Sequence, residues 1–517
     1  MMRKLFIIVT LCSVTLYGCA TNPVTGKREL GLVPTSSELE IGKQQYIPSR
    51  QMEGGDYTID KELTEYVSGV GQRLAAVSDR KLPYEFAVLN NSIPNAWALP
   101  GGKIAINRGL LTELKNEAEL AAVLGHEIVH AAARHGAKGM ERGIFLQGAV
   151  ALAGIASQGS GYANLAVQGS QIAAGLINQK YGRNAELESD LYGMKYMSRA
   201  GYDPKAAISV QETFLRLSEE AGRETDWLSG LFSSHPPSQE RIDVNRVTAK
   251  TLPEGGELGV QRFQKKIAYI MKTRNAYEAY DNGIKALSKG KTGEALALAK
   301  KAISGEPKEG QFHALVGDIN MKQQQYQNAL KSYNKAVELN NEFFYFFVQR
   351  GLSKQKLGDQ HGARTDLEKS TKLLPTATAM NALGNMSLAQ GNQQEALQYF
   401  KIASSSNSEV GRQAEQSFIR LDMRQQPNNY IKTRINLTQK RYVVIMVANP
   451  TPIAVQNVKV KILYPDTQGK VMEIVKDVSN ILSPGKSTII ETGLGPVENT
   501  NILRYMRVNV IRADVTE

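Results

Sequence analysis

Residues His126, Glu127, Ile128, Val129 and His130 spell HEIVH. At about 100° per residue, histidines four apart on a helix point the same way, so both imidazoles can reach one divalent cation while Glu127 stands beside them to activate a bound water. The chemistry needs a helix, and the flanks predict one. Asn116 with Glu119 three positions on makes a capping box, a run of Ala, Leu and Val follows, and Gly136 is the expected stop.

Two histidines need a further ligand, an acid or a histidine on another helix. Glu186-Leu187-Glu188-Ser189-Asp190 supplies one: Glu186 and Asp190 share a helical face, whereas Glu188 is turned about 200° away. Glu186 is the expected third ligand. Asp190, one turn on, can accept the other ring N–H of a ligating histidine, which fixes its tautomer and raises its basicity. Four of the six histidines (His126, His130, His135 and His235) fall in this part of the chain. His135 lies about 140° around from His130 and reads as structural. His235, in Ser234-His235-Pro236-Pro237 with Arg241 shortly after, is on a loop able to approach the site; it is the candidate fourth ligand of a latent resting state, displacing the water that hydrolysis requires.

The elements that must hold these side chains begin upstream. Residues 37–47 and 60–77 read as helices, the second with Leu63, Tyr66, Val67, Val70 and Leu74 on one face. Residues 84–90, 95–99 and 103–107 read as three short strands of a small antiparallel sheet, separated by Asn91 to Pro94 and by Pro100-Gly101-Gly102. Asn95, Ala96, Trp97 and Ala98 form the candidate edge strand onto which an extended substrate adds, the small alanines letting a peptide lie close. Residues 143–179 predict two further helices with a Gly-rich connection at Gly159 to Gly161, a candidate lid. Their longest apolar stretch, residues 144–156, is well short of the roughly 20 residues a membrane span requires.

HEIVH, Glu186-x-x-x-Asp190 with Gly193, Gly201-Tyr202-Asp203-Pro204 and Ser234-His235-Pro236 together resemble the zinc metallopeptidase family of HtpX-like and CAAX prenyl endopeptidases, over about residues 30 to 245. The resemblance implies an α+β zincin-type domain, one Zn2+ per chain, His126, His130 and Glu186 as ligands and Glu127 as the general base. Unlike the integral-membrane members, the chain lacks convincing spans, and with its downstream repeats it looks most like the periplasmic β-barrel assembly-enhancing proteases.

At 517 residues with 42% hydrophobic content the chain is expected to hold about three domains with real cores. Arg3-Lys4 and the apolar residues 5–16 read as a secretory signal, residues 1–18. Leu16-Tyr17-Gly18-Cys19 resembles a bacterial lipobox, which makes Cys19 the expected lipidated residue; Ala20 after it favours the outer membrane. Cys12 is the only other cysteine, so no intramolecular disulfide is expected in the mature chain. The net charge of +12 is spread along the sequence with no nucleic-acid module, which argues against a nucleic-acid partner.

Downstream a period emerges. Gly283, Gly317 and Gly351 recur every 34 residues, with Gly384 one short of the next step, and Ala295, Ala329, Ala363 and Ala396 keep the same phase. Ala302, Ala336 and Ala403 do too, with Ser370 in the remaining place. This resembles four tetratricopeptide repeats, helix-turn-helix units that stack into an α-helical superhelix with a concave binding surface. Tyr333 and residues 343–347 are more aromatics than a buried seam needs, so some are expected to line the groove. After Pro427 the pattern turns to six or seven short strands, expected as an all-β immunoglobulin-like sandwich.

The expected multidomain order is a signal peptide (1–18), a lipid-anchored metallopeptidase domain (19–255), a repeat domain (256–426) and a β-sandwich (427–517). The function expected is a periplasmic, outer-membrane-tethered zinc endopeptidase for quality control of envelope proteins, its repeats recruiting unfolded or misassembled clients or touching the assembly machinery. The rival expectation is a repeat-based assembly chaperone or scaffold whose metal site is latent or vestigial.

Overall fold

A computed structural model describes residues 19–141, 180–221, 234–466 and 468–516. Two compact units divide the chain, Met1–Pro375 and Thr376–Glu517. The predicted helices and Gly159–Gly161 connection within 143–179 lie outside the described residues.

The first unit opens with a hairpin, β1 (Cys19–Thr21) and β2 (Arg28–Leu30). Its turn is held by Asn22 Oδ1, which accepts the N–H groups of Val24 at 2.9 Å and Thr25 at 3.2 Å. The segment after the hairpin is pinned: the Val33 N–H donates to Glu141 Oε1 at 2.9 Å, and Arg134 donates to the Val33 carbonyl.

Helix α1 (Thr35–Met52) runs five residues beyond its expected end and through Pro48, because residues on both sides of the proline are anchored, Tyr46 donating to the Ile104 carbonyl at 2.9 Å. Helix α2 (Lys61–Ala76) is capped by Asp60, and Leu63, Val67, Val70 and Leu74 are buried as the periodicity requires. Strands β3 (Glu85–Leu89), β4 (Ala96–Leu99) and β5 (Lys103–Asn107) form a sheet in the order β3-β5-β4. It is mixed, not antiparallel: β4 pairs antiparallel with β5, whereas β3 pairs parallel with it. The hairpin at Pro100-Gly101-Gly102 inserts β5 between β4 and β3, so β5 meets β3 running the same way. Gly101 and Gly102 sit at φ 78° and 84°, a region L-residues avoid, which is why the hairpin is built from glycine.

Helix α3 (Glu117–Ala132) carries HEIVH and is buried along its whole length. Asn116 Oδ1 accepts the Glu119 N–H at 2.9 Å, but the Glu119 carboxylate reaches back to the Lys115 N–H at 2.7 Å, one residue beyond the expected reciprocal cap. The helix does not run to Gly136. It stops at Ala132 because buried Arg134 is drawn into the left-handed region, φ 64°, by ion pairs to Glu38 at 2.6 Å and Glu141 at 3.3 Å.

Helix α4 (Arg183–Arg199) packs across α3 at a glycine crossing. A Cβ on Gly125 would lie 3.3 Å from the Gly193 carbonyl oxygen, and one on Gly193 would lie 3.1 Å from the His126 nitrogen. Small residues here set how near Glu186 and Asp190 come to the histidines. Helices α5 (Ala206–Ala221) and α6 (Gln239–Ala249) complete the surround, Ser209 on α5 donating to Glu119 on α3 at 2.6 Å.

Three helix pairs follow in the same unit: α7 (Val260–Ser288) with α8 (Thr292–Gly305), α9 (Gly310–Lys322) with α10 (Tyr326–Leu339), and α11 (Phe344–Lys356) with α12 (Gln360–Leu373). The recurring glycines fall on the first helix of each pair and the alanines on the second. A Cβ on Gly317 would sit 2.5 Å from the Tyr333 ring, so the side chain sixteen positions on takes the place a larger residue would need. Of the aromatics expected to supply the groove, Tyr333, Phe343, Phe346 and Phe347 are buried, and Phe344 and Tyr345 are half-buried. The buried ones fill the seams between helices, and Phe343 also packs on Gly55. Beside it Gln51 clamps the repeats, donating to the Glu342 carbonyl at 2.7 Å and accepting from the Phe344 N–H at 2.8 Å.

Burial pushes the Asp318 carboxyl up from 3.8 to about 6, against hydrogen bonds from Tyr333 and Tyr345 that pull it down. An acid with a raised folded pKa binds its proton more tightly when folded, so its contribution is most favourable below about pH 4 and is lost as pH rises through 6. Asp318→Asn is therefore expected to add about 2 kcal/mol of stability at pH 7 and to flatten the dependence between pH 4 and pH 7, read by urea denaturation.

The second unit has helices α13 (Ala377–Ala389), α14 (Gln393–Ala403) and α15 (Glu409–Asp422), with Gly384 beneath the Phe400 ring in the same repeat geometry. Six strands follow: β6 (Lys432–Leu437), β7 (Val443–Ala448), β8 (Val455–Pro465), β9 (Val471–Asp477), β10 (Ser487–Glu491) and β11 (Arg507–Val515). They make two antiparallel three-stranded sheets, β10-β7-β6 and β11-β8-β9. Alternate residues such as Val443, Ile445 and Val447 of β7 and Val458, Val460 and Ile462 of β8 share one apolar core.

Candidate active site

One ligand atom each from His126, His130, Glu186 and His235 lies within 4.8 Å of the others, and all four residues are buried. Helix α3 supplies the first two side chains one turn apart, the first turn of α4 supplies Glu186, and the loop before α6 supplies His235. The two Nε2 atoms of His126 and His130 are 2.9 Å apart, and Glu186 Oε1 stands 3.4 Å from His130 Nε2 and 3.1 Å from His235 Nδ1.

These donors fit a divalent cation. His126 Nδ1 is 2.9 Å from Asp190 Oδ1, so its proton belongs on Nδ1 and its Nε2 lone pair faces His130. His130 Nδ1 is in turn taken by His135 Nδ1 at 2.9 Å. Converging lone pairs with a buried carboxylate are costly to leave together and are what a zinc ion would satisfy.

Glu127 points into the same space. Its Oε1 is 3.7 Å from His235 Nε2, and its Oε2 has no hydrogen-bond partner. Burial raises its pKa, with His235 and His126 pulling the other way, so the carboxyl is a stronger proton acceptor than an exposed one. Glu186 is held well below the carboxylate range: burial would raise it, but His235 and His126 outweigh that. Burial would also raise Asp190, yet the Arg241 guanidinium holds it at about 2.

Arg241 is the residue whose part the sequence did not reveal. Buried at 5% exposure, it donates to Asp190 through Nε at 2.8 Å and Nη2 at 2.7 Å, and its Nη1 lies 2.8 Å from Glu186 Oε2. In the sequence it was only a neighbour of His235, and nothing in its spacing names two carboxylates as partners. Tyr181, whose ring centroid is 3.9 Å from that of His130, carried no signal.

His135 corrects the angular argument. It does not point away from His130, because α3 has ended and the left-handed turn at Arg134 swings it back. Its Nε2 meets Glu188 Oε1 at 3.3 Å, which gives the middle acid of Glu186-Leu187-Glu188-Ser189-Asp190 a partner too. Strand β4 is an edge of the sheet, and Ala96 lines the same cavity as His126 and Glu127. Asn95, Trp97 and Ala98 are buried around it. Cys19 lies at the start of β1. Among the described residues no helix is long and apolar enough to cross a membrane.

A mixed sheet backed by a buried HEIVH helix, with a glutamate from a second helix beside its histidines, defines a metallopeptidase fold; the signature of peptidase family M48 matches residues 61–247, and the chain belongs to that family. Metalloprotease YcaL of Escherichia coli (strain K12) is 31% identical over 201 residues, 37% of this chain and 72% of that one. The beta-barrel assembly-enhancing protease of the same strain is 26% identical over 341 residues, 59% of this chain and 68% of that one. A Vibrio cholerae protein provisionally named a beta-barrel assembly-enhancing protease is 33% identical over 203 residues, 38% of this chain and 40% of its own length. The chain thus spans between 40% and 72% of the length of these relatives. Tetratricopeptide repeat signatures match residues 317–358 and 348–409.

Proposed function

We propose that this chain is a zinc-dependent endopeptidase of the bacterial envelope. It would be tethered through a lipidated Cys19 to the periplasmic face of the outer membrane and would remove misassembled envelope proteins that its repeats recruit. The observation that carries the reading is the convergence of His126, His130 and Glu186 on one buried point with the Glu127 carboxylate beside it. The likeness to beta-barrel assembly-enhancing proteases supports outer-membrane proteins, and the machinery that assembles them, as client and partner class.

His126, His130 and Glu186 would hold one Zn2+. Bound there, zinc polarises a scissile carbonyl and lowers the pKa of a water to about 7. Glu127 takes the proton of the attacking water on its carboxylate and returns it to the leaving amine. Asp190 fixes the His126 ring through Nδ1, and Arg241 holds Asp190 and Glu186 in place. The edge of β4 from Asn95 to Ala98 would take the substrate backbone as an added strand. Residues 19–255 would form the peptidase domain, 256–426 the repeats, and 427–517 an immunoglobulin-like packing or docking module.

His235 stands at the same point and would be a fourth ligand at rest, occupying the position that hydrolysis needs open; this favours a latent enzyme over a scaffold with a vestigial site. His235→Ala is expected to raise turnover of an unfolded protein several-fold at unchanged zinc content. Unchanged or lower turnover would remove the latency reading. Cleavage of casein by the purified chain, with chelator and zinc-readdition controls, tests the enzyme reading itself.

A further inference from the structure

A cavity of about 30 Å³ opens beside Glu127 and His235, between α3, α4 and α5. Polar groups of the site (Glu127, Ser189, His235) line one side of it, Val123, Met194, Val210 and Phe214 make an apolar side, and α5 adds the amide of Gln211. Gln211 is 6% exposed, and its Oε1 has no hydrogen-bond partner. The Ser209 bond to Glu119 fixes α5 against the catalytic helix, so this amide is held in the cavity. Buried amide groups are nearly always paired, and one left open at a reaction centre points to a ligand group that completes it.

We propose that the cavity receives the side chain of one of the two residues flanking the scissile bond, that Gln211 reads it, and that the preferred residue is threonine or serine. The inference rests on the peptidase reading and goes further by naming a substrate class. A water-sized group needs about 10–15 Å³ of such space, so there is room for two or three heavy atoms. That favours the side chains of Ala, Ser, Thr and Val over those of Leu and Phe. Thr and Val have the same shape, and only the hydroxyl partners Gln211. A hydroxyl both donates and accepts, so the pairing holds whichever way the carboxamide is turned. A valine leaves the buried amide unpaired, which is the arrangement that gives strong discrimination.

The test uses the zinc-loaded chain and fluorogenic peptides identical except for Thr, Val or Leu at each flanking position, compared with Gln211→Met, an apolar side chain of similar length. The same peptides are titrated by fluorescence anisotropy against Glu127→Gln and Glu127→Gln/Gln211→Met, which reads selectivity without turnover. The expected result is a preference for Thr over Val of about tenfold or more at one position, with Leu poorest, levelled or reversed in Gln211→Met at an unchanged melting temperature. Equal treatment of Thr and Val, or a preference that survives Gln211→Met, would overturn the proposal and leave Gln211 facing only a buried water. Selective binding without cleavage keeps the pocket and sinks the peptidase reading; cleavage without selectivity does the reverse. A chain that neither binds nor cleaves overturns both.

Discussion

Glu127→Gln is expected to lower peptide turnover by about 10³-fold while leaving zinc content unchanged and the melting temperature unchanged or higher. A general base contributes about 10² to 10⁴ to the rate, and an amide cannot take the proton. The structure gives reasons for the second half of the result. Glu127 is outside the four-residue ligand group, and its Oε2 makes no hydrogen bond that glutamine would lose. Burial has already raised its pKa, so a neutral isostere removes a costly buried charge. Turnover is read with a fluorogenic peptide and metal by elemental analysis of the same sample. A zinc-loaded glutamine variant that still cleaves would show that the proton goes elsewhere.

The second large effect is expected at Arg241. Its guanidinium reaches Asp190 at 2.7 and 2.8 Å and Glu186 at 2.8 Å, and all three residues are buried. Truncation to alanine leaves two buried carboxylates without their cation, a change that costs about 3–5 kcal/mol. It also frees the group that orients His126, so zinc affinity should fall about 10–100-fold. Lysine would restore the charge but not the planar contact with both oxygens of Asp190, and should recover only part of the loss. Urea denaturation of the zinc-free chain and a zinc titration separate the two effects. Wild-type values in both would make Arg241 a bystander.

The parts legible in the sequence were those carried by periodicity and fixed spacing. HEIVH, the i, i+4 pair Glu186 and Asp190, the two-residue rhythm of β7 and β8, and the 34-residue step from Gly283 to Gly317 each encode their own geometry. What escaped depended on contacts far apart in the chain. The end of α3 is set by Glu38, 96 residues before Arg134, which is why Gly136 misled and why His135 turned back to His130. The parallel pairing of β3 with β5 follows from where a hairpin inserts, not from strand composition. The burial of Phe343 was not legible because Gly55, which receives it, lies almost three hundred residues earlier. Arg241 is the same lesson at the site: a side chain is assigned its part by partners that only the fold brings near.

The proposed peptidase stands or falls with a single zinc ion held by side chains 126, 130 and 186. Anomalous X-ray scattering from crystals of the zinc-loaded chain, recorded on both sides of the zinc absorption edge, tests it most directly. One peak per chain is expected, bounded by His126 Nε2, His130 Nε2 and a Glu186 oxygen with the Glu127 carboxylate alongside, and no such peak in His130→Ala. A well-folded wild-type chain with no peak between those atoms, or with its zinc bound elsewhere, would contradict it.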